Sequence, residues 1–106
     1  MGVFSWHAES GMDKGVRAAQ ADARAVLVDV REPGEYASGH VPEAVNVPLS
    51  CIAEIARMAP DVSTPLYLYC ASGARSRRAA KALVRAGYQD VHNIGGIRAY
   101  TGTTER

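Results

Sequence analysis

Cysteine is scarce in this chain: two residues in 106 cannot make a disulfide-stapled scaffold. A chain of this length buries enough surface to fold without one. An excess of either charge is also missing. Twelve Lys and Arg stand against eleven Asp and Glu, a net charge of +1, whereas a protein living on phosphate contacts is normally more basic. Nucleic acid is therefore not an expected partner. No stretch approaches the ~20 apolar residues of a membrane span, and the run Ala25-Val26-Leu27-Val28 stops at a charge. Residues 1–7 carry no basic head before an apolar run, so they do not read as a secretory signal. Trp6 stands where a myristoylation signal requires Ser or Thr. Internal repeats, low-complexity tracts and linkers are lacking too. What remains is 47% hydrophobic and 22% charged, the make-up of a soluble globular domain and not of a disordered chain. One domain over residues 1–106 is expected, with reduced thiols and cytoplasmic residence.

Along the chain, residues 3–6 read as a short edge strand, and residues 10–20 as a helix weakened by Gly11 and Gly15. Residues 25–30 form a short apolar run rich in β-branched side chains, the pattern of a strand covered on both faces. Arg31 to Gly34 is a turn from which Pro33 opens a short helical turn. Residues 41–48 suggest a second strand held between prolines. Ser50 reads as the N-cap of a helix that presents Ile52, Ile55 and Ala56 on one face. Residues 66–69 are a third strand running into Cys70. A helix over residues 76–86 follows, with Ala79, Ala80, Leu83 and Val84 inward and Gly87 as its stop. Residues 90–94 are a last strand, before a tight turn at Gly95-Gly96. Strands alternating with helices predict an α/β fold, a mostly parallel central sheet flanked by helices on both faces.

The chemistry concentrates in Cys70-Ala71-Ser72-Gly73-Ala74-Arg75-Ser76. A buried strand ends in a cysteine, and a loop of small residues leads into a helix; ligands bind at that edge of open α/β sheets. Small side chains leave the backbone N–H groups free to converge on an anion or a charged sulfur. The helix N-terminus and Arg75 both favour thiolate over thiol, so the pKa of Cys70 is expected below the ~8.5 of a free cysteine. The thiolate is the nucleophilic form. An inert small hydrophobe at a strand end is the bland alternative.

These segments resemble the single-domain rhodaneses, a family of sulfurtransferases. Residues 28–36 (Val-Asp-Val-Arg-Glu-Pro-Gly-Glu-Tyr) and 39–48 (Gly-His-Val-Pro-Glu-Ala-Val-Asn-Val-Pro) match the family's amino-terminal signature. Residues 70–76 match its active-site loop and residues 91–100 its closing Gly-Gly segment, so the resemblance runs over about 25–100. Tyr100 departs from it, since the family often has Trp there. The resemblance implies that Cys70 takes the outer sulfur of a small anionic donor such as thiosulfate, forms a persulfide, and passes the sulfur to cyanide or a thiol. It implies no metal and no organic cofactor. Ala71, Ser72, Gly73, Ala74 and Ser76 would hold the anionic sulfur through the loop, and Arg75 would orient the donor.

Phosphatases and arsenate reductases of the same fold place five residues between Cys and Arg; this chain has four. The tighter ring suits one sulfur atom better than a tetrahedral phosphate, and no acid for a leaving group adjoins the loop. A different alternative is a sulfur carrier that turns over little thiosulfate and depends on a protein donor or acceptor.

Other residues carry more modest expectations. Asp29, ending a buried strand, needs hydrogen-bond partners and is expected to tie neighbouring loops together. Arg31 and Glu35, four apart across a turn, are expected to pair with each other, while the resemblance also implies Arg31 as a contact to the anionic donor. His40 is expected to be a hydrogen-bonded turn histidine, with a proton shuttle as the alternative. His7 and His92 have no metal-ligand spacing to the cysteines. Cys51 is expected to be a buried small residue; as a resolving thiol it would need to lie within ~7 Å of Cys70, Cα to Cα. Arg77, Arg78, Lys81 and Arg85 read as a solvated helix face or as a source of positive potential for anionic donors.

Overall fold

The computed structural model describes residues 10–106. The strand expected over residues 3–6, and His7, lie outside the described residues. The first element, α1, spans Gly11–Ala21, and the Ser10 side chain caps it by accepting the Asp13 N–H at 3.0 Å. Met12, Val16 and Ala19 face inward as their spacing predicts. Gly15 is buried with them, and a Cβ built there would lie 2.3 Å from the Cβ of Ile94. The glycine that weakens the helix in sequence thus lets α1 sit down on the sheet.

Four strands follow: β1 (Val26–Asp29), β2 (Val45–Asn46), β3 (Leu66–Cys70) and β4 (Val91–Gly96). They form one parallel sheet in the order β2-β1-β3-β4. β1 and β3 are central and buried almost throughout, which accounts for their apolar sequences. Leu66, Leu68 and Cys70 point to one face, where Val28, Val30, Ile55, Ala79 and Leu83 pack. Tyr69 points to the other, with Met12, Val16, Leu27 and Val41. Helices therefore cover both faces. The chain leaves β1 toward β2 on one side and reaches β3 on the other, so the strand order reverses between β1 and β3, where open α/β sheets hold ligands.

The middle of the chain departs from the expectation. Of residues 41–48, Val45 and Asn46 alone join the sheet. The Ala44 N–H turns back to the Val41 carbonyl at 3.1 Å, and Glu43 takes a left-handed φ of 73°. The next segment is a 3-10 helix, Leu49–Glu54, capped by Pro48 and not Ser50, running into the short α3 (Ile55–Met58). Cys51 has a non-helical φ of −112° there and is exposed, contrary to the buried position expected for it. α2 (Pro33–Ser38) begins with Pro33 and carries a capping box between Glu32 and Glu35. α4 (Ala74–Arg85) starts two residues earlier than predicted, and Val84 is exposed, one position off the buried stripe of Ala79 and Leu83. Gly95 and Gly96 do not form the expected turn. They are the last residues of β4, just past a bulge at Ile94: Leu68 pairs with Asn93, but Tyr69 pairs with Gly95 and Cys70 with Gly96.

Candidate active site

Cys70 is the last residue of β3, and the loop after it bends back over its sulfur. Gly73 turns the loop with a φ of 105°, a conformation strained for any side chain, and forms the N-cap of α4. Its N–H donates to Cys70 Sγ at 3.0 Å, and the Ser76 hydroxyl lies 3.5 Å from the same sulfur. Burial works to raise the thiol pKa, but the Ser76 hydroxyl and the N–H groups of Ser76, Gly73 and Ser72 outweigh it and hold the pKa below the ordinary value. The residue is only 1% exposed. Its backbone and Cβ belong to the core, so it is more enclosed than the partly exposed thiol that the sequence suggests.

A wall from β4 keeps the loop in place. A Cβ on Gly96 would lie 2.1 Å from the Ala71 carbonyl oxygen, so only glycine lets the strand pass beneath the loop. The same carbonyl accepts the Arg98 N–H at 3.2 Å. Asn93 supplies three ties: its Oδ1 accepts the Ser76 hydroxyl at 2.7 Å and the Gly95 N–H at 3.1 Å, and its Nδ2 donates to the Gly73 carbonyl at 3.2 Å. The bulge at Ile94 aligns Asn93 with Gly95 for this, a familiar use of a bulge beside a site. Sequence reasoning missed Asn93. A polar residue of low strand propensity two positions before Gly95 was the available signal. The Ser76 hydroxyl thus lies between two acceptors, Asn93 Oδ1 at 2.7 Å and Cys70 Sγ at 3.5 Å.

The charged residues pair differently from the expectation. Glu35 does not meet Arg31. It reaches across from α2 to Arg75, with Oε1 and Oε2 accepting from Nη1 and Nη2 at 2.7 and 3.0 Å. That fork raises the Arg75 pKa further. With the Glu32 N–H it holds Glu35 down at about 2. The charge of Arg75 is thus largely balanced by Glu35, and the thiol owes its low pKa to the loop donors. Arg31 is buried against Asp29, donating from Nε and Nη2 to the carboxylate, and Nη2 also donates to the Gly39 carbonyl at 2.7 Å. Asp29 ties the Arg31 backbone as well, through its N–H at 2.9 Å. His40 stacks on Tyr36 and donates from Nδ1 to the Tyr36 carbonyl. His92 stacks on Tyr67 and pairs with Asp90. Among the described residues no cluster of His, Cys, Asp and Glu could hold a metal ion. Ala74 opens α4 at the surface, and Cys51 and Cys70 are both free thiols.

The family model of the rhodanese-like domain matches residues 13–103. The chain is 39% identical over 82 residues to the uncharacterised protein YqhL of Bacillus subtilis, covering 74% of this chain and 63% of that protein. It is 42% identical over 72 residues to the thiosulfate sulfurtransferase GlpE of Pseudomonas syringae, covering 68% and 67%. A solved structure described as a rhodanese with anions, from E. coli, superposes with a TM-score of 0.72 at 33% identity, covering 76% of this chain and 96% of that one. The chain thus spans about two thirds of the length of these curated relatives. No helix among the described residues is long and apolar enough to cross a membrane.

Proposed function

The chain belongs to the rhodanese-like family, and from that membership we propose that it is a sulfurtransferase carrying sulfane sulfur on Cys70. The observation that bears most weight is the Cys70 sulfur held at 3.0 Å by the Gly73 N–H, with the Ser76 hydroxyl and further loop N–H groups lowering its pKa. That environment favours the thiolate over the thiol and suits the anion one sulfur longer as well. The thiolate attacks the outer sulfur of a donor such as thiosulfate, the S–S bond of the donor breaks, and sulfite leaves with the electron pair. Cys70 then carries a persulfide anion. A cyanide or thiolate acceptor attacks the outer sulfur, and the Cys70 thiolate returns, a double displacement with ping-pong kinetics.

In this reading Ser72, Gly73 and Ser76 hold the sulfur, and Ala71 and Ala74 give the loop its small radius. Arg75, fixed by Glu35, borders the mouth and steers the anionic donor. Arg31 and Asp29 brace the turn after β1, and His40 braces the turn before β2. The protein acts in the cytoplasm, where thiols stay reduced.

Intact-mass spectrometry of reduced wild type and Cys70→Ser after incubation with thiosulfate, with and without cyanide, tests the proposal. A gain of one sulfur mass on wild type alone, removed by cyanide, is the expected result. A gain on the Cys70→Ser protein would refute the assignment of Cys70. No gain on either, with Cys70 still alkylated by iodoacetamide, would replace thiosulfate with a protein donor.

A further inference from the structure

An open groove of about 620 Å³ runs between the Leu49–Glu54 segment and α4. Arg75, which follows the loop after Cys70, is part of its lining, and Arg78, Lys81 and Arg85 continue along α4 opposite Leu49 and Ile52. The positions 78, 81, 82 and 85 recur at helical spacing, so they make one stripe of α4. From Arg75 to Arg85 the stripe is ~15 Å long, at 1.5 Å per residue.

α4 is unusual in its charge. It contains five cations, Arg75, Arg77, Arg78, Lys81 and Arg85, and no acidic residue. Two of them, Arg75 and Arg77, fall in the first turn, against the positive end of the helix dipole. Lys81 and Arg85 are four apart and Arg78 and Lys81 three apart, spacings at which like charges destabilise a helix. Glu35 offsets Arg75, but no acidic side chain among the described residues pairs with Arg78, Lys81 or Arg85. Since the whole chain is only +1 and α4 carries five cations with no acid, the remainder of the molecule is net negative. Four cations against one acid, Glu32, line the groove beside an apolar strip, and the cations disfavour their own helix; the lining is complementary to an anionic occupant. Thiosulfate, small enough for the loop itself, does not need ~15 Å of it. An extended peptide, at ~3.3 Å per residue, spans the stripe with four or five residues.

We propose that this groove docks an acidic, extended segment of the thiol-bearing protein that receives the sulfur. The proposal rests on the persulfide reading of Cys70. The partner's thiolate attacks the outer sulfur of the Cys70 persulfide, the bond from that sulfur to Sγ breaks, and the Cys70 thiolate leaves. The partner carries away the persulfide anion, and no oxidant or reductant is consumed. The acidic segment lies along Arg78, Lys81 and Arg85 and holds the partner's thiol at the mouth beside Arg75.

The test uses protein loaded with thiosulfate, freed of excess donor and mixed with peptides in which cysteine precedes four Glu, four Gln or four Lys. Mass spectrometry follows the loss of the sulfur. At ~50 mM salt the Glu peptide is expected to react about tenfold faster than the Gln peptide, and the Lys peptide more slowly than both. The advantage should shrink to within about twofold at ~0.5 M salt and in the triple variant Arg78→Gln, Lys81→Gln, Arg85→Gln. An unchanged rate with the Gln peptide shows that the variant retains its sulfur chemistry. Equal rates for the Glu and Gln peptides in wild type, or a preference that survives in the triple variant, would overturn the proposal. So would mercaptosuccinate gaining the same advantage, because the groove would then serve small acids. Fluorescence anisotropy of a labelled Glu peptide with Ser in place of Cys, on the Cys70→Ser protein, needs no sulfur chemistry. Salt-sensitive binding there that is lost in the triple variant supports the acidic groove even if no persulfide forms, which separates its failure from that of the sulfurtransferase reading.

Discussion

Replacing Glu35 by Gln removes a charge while leaving an amide oxygen to accept the Glu32 N–H, now bound at 2.9 Å. The substitution therefore isolates the fork to Arg75. The carboxyl of Glu35 sits at about 2 in place of the usual 4.5, first because of the Arg75 hydrogen bonds and second because of the Glu32 N–H. Transferred in full to stability, that lowering corresponds to roughly 3 kcal/mol. The two side chains are 33% and 38% exposed, so water screens most of it, and ~1 kcal/mol is the share an exposed pair retains. At pH 7 the variant is expected to lose ~1 kcal/mol, a fall in Tm of roughly 4–8 °C for a domain near this size. The sign of the pH dependence follows from a depressed carboxyl. Its contribution is fully present above 4.5 and is lost as pH falls from there toward about 2. Urea titrations of wild type and variant at several pH values between 7 and 2.5, followed by circular dichroism, should show a gap that is level above pH 5 and closes in acid. A gap of the same size throughout would mean that the carboxylate charge is not what stabilises. Adding Arg75→Gln to the variant should cost less than it does in wild type, since its partner is already gone.

Further substitutions probe the loop, with one in α2 as a control. Ser76→Ala should raise the pKa of Cys70, moving the pH profile of iodoacetamide alkylation upward, and Arg75→Gln should move it less because Glu35 already balances that charge. The reverse order would return the control of the thiol to the arginine. Gly96→Ala places a Cβ 2.1 Å from the Ala71 carbonyl and should cost ~1–3 kcal/mol in urea denaturation together with most of the sulfur-transfer rate. Gly34→Ala, in α2 with open space around it, should leave transfer intact and stabilise by up to ~1 kcal/mol; a loss of transfer there would show that the effect at Gly96 is not specific to the loop.

The parts of the site that were legible in the sequence are contiguous. The apolar run ending at Cys70, the small residues after it and the following helix are encoded locally, by side-chain size and period, and they form as elements in the order read, with the helix beginning at Ala74 and Val84 facing out. Asp29 and Arg31 lie only two apart, yet their ion pair escapes the sequence reading, which assigns Arg31 to Glu35. Glu35 and Arg75 are 40 positions apart on different helices, so their fork depends on how α2 and α4 pack and leaves no local trace. Asn93 was hidden for a similar reason: the bulge at Ile94, which changes what a strand residue faces, is set by pairing with β3. The Gly-Gly pair looked like a turn because glycine permits one, but here the absence of a Cβ serves the close approach of β4 to Ala71. The second strand shrank to two residues because the Ala44 N–H was spent within its own turn.

The seat of α1 on β4 has a consequence for variation within the family. Gly15 and Ile94 share one slot, in which a single added methyl at position 15 already overlaps the isoleucine. Ile94 lies between Asn93, which braces Ser76 and Gly73, and Gly95, which leads to Gly96 beneath the loop. A larger residue at position 15 is therefore tolerable only with a smaller one at position 94, and the two sites should drift as a size-compensated pair. A change in a surface helix far from the thiol in sequence is in this way constrained by the loop's geometry, and its tolerated alternatives depend on what its neighbour in β4 has already become.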